Sequence, residues 1–343
     1  MDRQQQDNTE RPEWAQDSPR KRIAIPYSFS ELMSWAKNNV FGPSHKFKDL
    51  TDFIPQKSTQ NSITPKMKLG FLGDIMKMNH KGLEIGPAVI EFFKDVDYLV
   101  GNFEGTMIEG YDGKRIFLAQ EHSENILTVL ETLFPPEKFV LTNANNHAGD
   151  YGWSAFNKSY QLLKDRGFLT IGRKDEPSIM LDQKINVTSC TTISNQPETP
   201  YIVYLDEVDD LINPAAKFNI LSNHWGYEMQ LYPNLKQIEL GKILLEKWDL
   251  VVGHHSHCPQ PITTYNIYNT NKIIAYSLGD FSTKIKLKKY QHGMAVKIEV
   301  GPNDIGLWQV GEVKWKFTRV YKIDKNTFEV RLEDTCKYFK NNF

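Results

Sequence analysis

The sequence predicts an α/β protein with a largely parallel central sheet, an N-terminal appendage and a β-rich C-terminal extension. From residue 67 onward, short apolar segments alternate with longer segments of helical periodicity, and several of the short segments end in a polar turn that contains glycine. After residue 284, strand-length segments follow one another without helices between them. Alternation of strands and helices is typical of a parallel sheet covered by helices, whereas successive strands favour antiparallel pairing.

The composition is that of a globular protein with a core. Of the 343 residues, 40% are hydrophobic and 24% are charged, which is the usual range for folded domains. Lysine plus arginine number 41 and aspartate plus glutamate number 42, so the net charge is −1. This balance excludes a highly charged disordered chain and argues against nucleic acid as the partner.

The sequence shows neither a membrane span nor a secretory leader. No apolar run approaches the roughly 18 residues of a spanning helix, so we expect no integral membrane segment. The polar N-terminus lacks the apolar stretch of a signal peptide. The three cysteines, Cys190, Cys258 and Cys336, lie far apart and indicate a reducing compartment rather than a disulfide framework. We expect a cytoplasmic protein, and export without an N-terminal signal stays open.

The first 66 residues precede the main domain. Residues 1–20 are rich in Gln, Asp, Arg and Pro and predict a tail. Residues 27–40 predict one amphipathic helix, because serines near its start can cap it and apolar residues recur along it. Residues 55–66 are rich in Pro, Lys, Ser and Thr and indicate a linker.

The first half of the main domain alternates strands with helices. Proline residues end the second predicted helix and a glycine ends the third, as expected of helix stops. Strands are predicted at 68–72, 97–100, 139–142 and 168–171. Helices are predicted at 86–96, 124–134 and 153–166.

The second half of the chain contains more strands than helices. One long helix is predicted at 235–248. Strands are predicted at 185–193, 201–205, 217–222, 250–252 and 272–277, and antiparallel strands at 292–300, 311–323 and 327–332. We therefore divide the chain into residues 1–66, a main domain over 67–283, and an extension over 284–343 packed on the core.

Five predicted strands run into polar turns with glycine. The turns are GDIM at 73–76, GNFEG at 101–105, NANNHAGDYG at 143–152, SNHWGYE at 222–228 and GHHSH at 253–257. In open α/β sheets, ligands bind beyond the carboxyl ends of the strands. The side chains expected to meet at that edge are Asp74, Asn102, Glu104, Asn146, His147, His224, His255 and His257.

The chemistry of these side chains points to a metal centre. Carboxylate, amide oxygen and neutral imidazole together suit a borderline divalent cation such as Zn, Mn or Fe. His255 and His257 are two residues apart, so an extended backbone places both rings on one side, where they can bind one or two ions. By the same alternation, His254 is expected to face the opposite side as a packing residue.

At this point the sequence resembles the CapA family of capsule synthesis, also called the poly-γ-glutamate biosynthesis family. The resemblance covers about residues 68–283 and rests on six motifs in order. These are FLGDIM at 71–76, VGNFEG at 100–105, ANNHAGDYG at 144–152, NHWGYE at 223–228, VVGHHSHCPQP at 251–261 and YSLGDF at 276–281. The resemblance implies the calcineurin-like metallophosphoesterase fold, a four-layer α/β/β/α sandwich.

The resemblance also implies residue roles. It makes Asp74 the first-strand metal ligand and Glu104, or alternatively Asn102, the bridging ligand. It makes His147 the general acid that protonates the leaving group and implies a metal-activated water as the nucleophile. The remaining metal ligands that it implies are Asn146, His224, His255 and His257.

Residues around these ligands receive supporting roles. Asp150 and Glu228 are expected to orient the ligands. Asp150 is also a candidate catalytic residue, and Glu228 a candidate substrate-binding residue. Asp280 either adds a carboxylate at the rim of the site or changes a hydrogen bond there, and Asp280 and Lys284 are candidate substrate-binding residues. Lys284 opens a basic run over 284–289, which attracts an anionic small molecule or polymer in one interpretation and is a solvated loop or lysine-protected strand edge in the other.

This sequence departs from the expected patterns in three motifs. Met76 stands where the standard pattern has histidine, and the second strand carries Asn102 and Glu104 instead of a Gly-Asp motif. The CapA family shares both departures, and they leave the number of metal ions at one or two. Asp280 replaces the usual asparagine of the last motif.

Three functions are compatible with these patterns. The first is a metal-dependent hydrolase with phosphoesterase-type chemistry. The second is action on a γ-glutamyl polymer or peptide in capsule biosynthesis or release. The third is a binding or scaffold protein that keeps the fold without turnover, which the missing histidine at Met76 favours.

Overall fold

The described residues form two large β-sheets, one two-stranded sheet and five α-helices. The computed structural model describes residues 12–15, 27–78, 81–108, 119–197, 199–284 and 290–339. The helices are α1 (Phe29–Phe41), α2 (Pro87–Phe93), α3 (Asn125–Leu133), α4 (Gly152–Asp165) and α5 (Leu235–Lys247). The strands of the first half are β1 (Lys57–Thr59), β2 (Met67–Ile75), β3 (Gly82–Ile85), β4 (Tyr98–Phe103), β5 (Thr106–Met107), β6 (Glu121–His122), β7 (Phe139–Thr142), β8 (Leu169–Ile171) and β9 (Ser178–Leu181). Those of the second half are β10 (Ile185–Thr191), β11 (Phe218–His224), β12 (Leu250–His254), β13 (Ile262–Ile267), β14 (Thr270–Ala275), β15 (Asp280–Ser282), β16 (His292–Pro302), β17 (Trp308–Lys322) and β18 (Thr327–Glu333).

The larger sheet joins the two ends of the chain. Its order is β3-β18-β17-β16-β2-β4-β7-β8, with β1 paired to β17 and β15 paired to β2. Strands β2, β4, β7 and β8 run parallel, whereas β16, β17 and β18 are antiparallel neighbours. Because β16 pairs with β2 over six residues, the C-terminal strands lie inside the sheet that carries the first polar turn.

The smaller sheet has a parallel centre and antiparallel edges. Its order is β13-β14-β12-β11-β10-β9. The four central strands, β10, β11, β12 and β14, run parallel, and the edge strands β9 and β13 pair antiparallel to them. The carboxyl ends of β11 and β12 therefore open at the same edge, where His224 and His254 are paired in register.

The two sheets pack face to face and the helices cover their outer faces. The core between the sheets contains Phe71 and Val296 of the larger sheet with Val187 and Ile220 of the smaller one. Helices α2 and α3 pack on the outer face of the larger sheet. Helix α5 packs on the outer face of the smaller sheet. The predicted four-layer α/β/β/α arrangement is confirmed.

Most predicted elements match the structure, and the strands that were not predicted are short or lie at sheet edges. The predicted strand at 201–205 is wrong, because this stretch makes isolated bridges and leads into a 3-10 helix at Leu205–Leu211. Strands β3, β9 and β13 are absent from the predicted elements, because they are partly exposed and lack a clear apolar pattern. The segment expected to be a linker contains β1, which pairs with β17.

Two further expectations concern cysteines and membranes. All three cysteines are buried and free of disulfide bonds. Among the helices formed by the described residues, none has the length and apolarity needed to cross a membrane.

His292 in β16 predicts an acid-sensitive contribution to stability. Its ring is buried, and among the described residues neither ring nitrogen has a hydrogen-bond partner. Burial, with the nearby charges of Lys337 and Arg319, lowers the pKa of His292 to about 3. The unfolded chain, with a histidine pKa near 6.5, then binds the proton more readily. The low pKa of His292 therefore costs the folded protein no stability above about pH 6.5. Below that pH, the free energy of unfolding falls as the pH approaches the folded pKa of His292.

We expect the variant His292→Phe to lose this acid sensitivity. The free energy of unfolding of the native protein should fall relative to that of the variant by about 1.4 kcal/mol per pH unit below pH 6.5. Urea unfolding at pH 7 and pH 5 measures the difference. The variant His45→Phe, on an exposed histidine, is the control. A difference between native protein and His292→Phe that stays constant with pH would contradict the prediction.

Candidate metal centre

The polar turns of both sheets meet at one buried edge. Asp74 comes from the end of β2, Asn102 from β4 and His224 from β11, while Glu104 and His255 follow β4 and β12 directly. Each of these side chains is at most 1% exposed. The structure thus brings together, across two sheets, residues that are as far as 181 positions apart in sequence.

Glycines in the motifs allow the strands to approach closely. A Cβ atom on Gly73 would lie 2.1 Å from the carbonyl oxygen of Gly279, and one on Gly253 would lie 2.0 Å from that of Tyr276. Neither distance is possible for a larger residue, because the contacting atoms belong to the backbone. The glycine before Asp74 is therefore needed to seat Asp74 beside the 276–280 segment.

One cluster of ligand-type atoms surrounds His257. Its Nε2 atom lies 3.7 Å from Oε1 of Glu104, and its Nδ1 atom lies 3.7 Å from Oδ2 of Asp74. Nδ1–H of His257 donates to Oδ1 of Asp280 at 2.9 Å. Ligand-type atoms of Asp74, Glu104 and His257 all lie within 4.8 Å of one another, which is close enough to hold one ion.

Glu104 is the least compensated charge in the cluster. Its carboxylate is fully buried, and among the described residues neither oxygen has a hydrogen-bond partner. Burial raises the pKa of Glu104 well above its usual range; His257 opposes the increase, and Asp74 and Asp280 add to it. Buried carboxylates are normally hydrogen-bonded or bound to a metal, so a divalent cation fits this set of donors.

The pKa values of Asp280, His257 and Asp74, which surround Glu104, are shifted as well. Burial raises the pKa of Asp280 to about 7. Burial alone would lower the pKa of His257, but Glu104 and Asp280 raise it well above its usual range. Burial would likewise raise the pKa of Asp74, but its hydrogen bonds and nearby histidines lower it below its usual range. The site concentrates negative charge that a cation would balance.

A second group of ligand-type atoms surrounds His224. Its Nε2 atom lies 2.8 Å from Oδ1 of Asn146 and 3.1 Å from Nδ1 of His255. On the other side of the ring, Nδ2 of Asn102 lies 3.1 Å from Nδ1 and donates to Oδ1 of Asp74 at 2.8 Å. Glu228 is half-buried, and its carboxylate comes within 4.8 Å of ligand atoms of His255 and His257.

His147 and Asp150 form a pair beside the first cluster. Nδ1–H of His147 donates to Oδ2 of Asp150 at 2.6 Å, so the other nitrogen is left to face the site. That nitrogen, Nε2, lies 3.6 Å from Oε1 of Glu104 and 3.4 Å from Nδ2 of Asn195. Asp150 is held by the backbone N–H of Gln120, which donates to the same carboxylate oxygen.

Two predicted substrate residues lie in different surroundings. Asp280 is fully buried and accepts the hydrogen bond of His257. Lys284 is half-buried at the end of its segment, and its backbone N–H donates to the carbonyl of Lys77. The rest of the predicted basic run, residues 285–289, lies outside the described residues.

The prediction for His254 is wrong. Its Nδ1–H donates to Oδ1 of Asp74 at 2.9 Å, so its ring faces the site and not the opposite side. His255 adopts a left-handed backbone conformation with φ of 87°, which breaks the strand alternation on which the prediction depended. As a result both residues turn toward Asp74, His254 through its ring and His255 through its backbone N–H at 3.1 Å.

Two aromatic residues of the N-terminal segment also reach the site. The phenol oxygen of Tyr27 lies 2.6 Å from Nε2 of His255, and Nε1–H of Trp35 donates to Oε2 of Glu228 at 2.6 Å. The sequence predicts the helix that carries Trp35 but neither contact. Nothing in the local periodicity identifies them, because their partners lie 228 and 193 residues away.

A family model and two relatives point to the same family. A family model described as bacterial capsule synthesis protein PGA_cap matches residues 68–284. The chain is 27% identical to the PGA biosynthesis protein CapA of Bacillus subtilis (strain 168), over 72% of this chain and 73% of that protein. It is also 27% identical to the capsule biosynthesis protein CapA of Bacillus anthracis, over 66% of this chain and 61% of that protein. A protein proposed to be a 5'-nucleotidase from Staphylococcus aureus, solved in complex with alpha-ketoglutarate, aligns at a TM-score of 0.45 and 12% identity, over 72% of this chain and 53% of that one.

Proposed function

This chain belongs to the bacterial capsule synthesis protein family, and from that premise we propose that it is a metal-dependent hydrolase. The observation that carries the proposal is the Glu104 carboxylate, which is buried among Asp74 and His257 and has no hydrogen-bond partner among the described residues. A carboxylate in such a place is costly unless a cation neutralises it. A divalent ion such as Mn, Fe or Zn suits the carboxylate and imidazole donors.

Two groups of residues are available to hold the cation. Asp74, Glu104 and His257 would hold one ion. Asn146, His224 and His255, with Glu228 at the edge, offer oxygen and nitrogen atoms for a second ion. Asn102 and Asp280 then have orienting roles. Asn102 donates to Asp74, and Asp280 accepts Nδ1–H of His257, so that Nε2 is left to bind the cation beside Glu104.

The cation and the side chains would supply different parts of the chemistry. A divalent cation, when bound, supplies Lewis acidity to a substrate oxygen and lowers the pKa of water. His147 supplies the proton for the leaving group from Nε2, because its Nδ1–H is engaged by Asp150. Asp150 also fixes the orientation of the His147 ring, and both side chains are buried.

Phosphoester hydrolysis is the first reaction we propose, because it needs the general acid and the cation site together. A second reaction is hydrolysis of an amide bond in a γ-glutamyl polymer or peptide. The specific observation in its favour is the family itself, whose two compared members are named for PGA and capsule biosynthesis. Both substrates are anionic. Assays with phosphodiesters and with γ-glutamyl peptides, on the same metal-loaded protein, separate the two reactions.

Metal content per chain tests the proposal directly. We expect about one or two equivalents of Mn, Fe or Zn in the purified protein by elemental analysis, and a clear loss in the variant His255→Ala. The variant His45→Ala, on an exposed histidine, is the matched control and should keep its metal. A protein that binds no metal after supplementation would contradict the hydrolase proposal and favour the scaffold function.

A further inference from the structure

The ring of His255 is held at both nitrogens. Nδ1 faces Nε2 of His224 at 3.1 Å, in the group of atoms proposed to hold a second ion. Nε2 faces the phenol oxygen of Tyr27 at 2.6 Å. The ring itself is fully buried, so no water replaces either contact at the surface. The direction of the Tyr27 hydrogen bond therefore decides which nitrogen of His255 carries its proton.

Asn102, acting through His224, sets the direction of that hydrogen bond. The Nδ2 amide of Asn102 can only donate, and it lies 3.1 Å from Nδ1 of His224, so a neutral His224 ring carries its proton on Nε2. That proton faces Oδ1 of Asn146 and Nδ1 of His255, so Nδ1 of His255 accepts and the Tyr27 oxygen is left to accept from Nε2–H of His255. The proton of a neutral His255 ring then resides on Nε2, and the Nδ1 lone pair points to His224 and Asn146.

The element that carries Tyr27 is attached to the site mainly through polar contacts. Tyr27 precedes α1. All residues of this helix are described, and only Asn38 among them is buried. Trp35 donates to Glu228, Asn38 donates to the carbonyl of Met229, and Asn39 is bonded to Tyr290. The family match begins only at residue 68, so this support comes from a part of the chain that the match does not cover.

We propose that Tyr27 is a positioning residue for the metal centre. By accepting the Nε2–H of His255, it presents the Nδ1 lone pair to the place between His224 and Asn146 where a cation would bind. Histidines that bind metals commonly donate their other ring N–H to an oxygen in this way, and loss of that partner weakens metal binding about 10- to 100-fold. The inference rests on the proposed function, because it assumes that a cation binds there.

The variant Tyr27→Phe in the full-length chain tests this inference. Calorimetric titration of the metal-free protein with MnCl₂ should show binding about 10- to 100-fold weaker than in the native protein. The variant Tyr227→Phe is the matched control, because Tyr227 packs against Tyr27 but hydrogen-bonds to Glu31. It should bind Mn²⁺ as the native protein does.

Nitrogen NMR of the metal-free protein gives a second readout that altered packing alone would not move. We expect a single Nε2–H tautomer for His255 in the native protein and a mixture in Tyr27→Phe, with the signal assigned by a His255→Gln variant. Unchanged Mn²⁺ affinity together with an unchanged tautomer in Tyr27→Phe would overturn the inference, and tighter binding would instead make Tyr27 an obstacle. If the native protein binds no Mn²⁺, the proposed function fails, while the tautomer measurement still decides what Tyr27 does.

Discussion

The variant Glu104→Gln is expected to lose metal binding and to become more stable without metal. Three buried carboxylates, Asp74, Glu104 and Asp280, lie around His257, and Glu104 has no hydrogen-bond partner among the described residues. Without a cation, removing one charge relieves repulsion and an uncompensated desolvation, which we expect to stabilise the protein by about 1–3 kcal/mol. With a cation, the same change removes a charged ligand.

Thermal unfolding with and without MnCl₂ measures both effects. A bound ligand at about 100 times its dissociation constant stabilises a protein by about 2.7 kcal/mol, and the native protein should show a shift of that order. Glu104→Gln should show a higher melting temperature in chelator and almost no shift with Mn²⁺. The variant Glu246→Gln, on the exposed side of α5, should behave as the native protein does. A normal Mn²⁺ shift in Glu104→Gln would exclude Glu104 as a ligand.

The variant His147→Gln is expected to lose turnover while it keeps its metal. General acid catalysis contributes about 10²- to 10⁴-fold to a rate, and His147 is the histidine whose orientation is set by the 2.6 Å bond to Asp150. We expect kcat to fall by about that factor for an alkyl phosphodiester. The loss should be much smaller for an activated aryl ester, whose leaving group departs without a proton.

Steady-state kinetics on the two esters, with metal content measured on the same samples, checks this expectation. The variant Asp150→Asn should show the same dependence on leaving group to a smaller degree, because the ring stays in place but loses its charged partner. His45→Gln is the control on an exposed histidine. Equal losses on both esters would show that His147 acts on binding or on the metal, and no loss would remove it from the mechanism.

Much of the fold was predictable from local sequence. Strand β7 has the predicted bounds, and β2 and β4 begin within one residue of their predicted starts and extend further into the polar turns. These strands are buried along almost their whole length, so they appear as continuous apolar segments. The errors concern partly exposed edge strands such as β9 and β13, whose sequences lack such a signal because one side contacts solvent.

The sequence predicted which residues belong to the candidate site better than it predicted the contacts between them. A parallel strand sends the residue at its carboxyl end to a common edge, which groups Asp74 with Asn102 on the larger sheet. His224 belongs to the smaller sheet, and only the packing of the two sheets brings it to the same place. The error at His254 has a different origin. The periodicity of two holds only for extended residues, and the left-handed conformation of His255 ends it at this point.

The sequence by itself therefore determined the layered α/β architecture and the edge where the polar side chains collect. Strand periodicity and helix stops are local properties, and each residue carries them wherever its partners lie. Tertiary structure alone decided that Glu104 has no hydrogen-bond partner among the described residues, that His254 contacts Asp74, and that Tyr27 contacts His255 from 228 positions away. Such contacts depend on the packing of two sheets and on a distant helix, and no local pattern encodes distances between side chains so far apart in the chain.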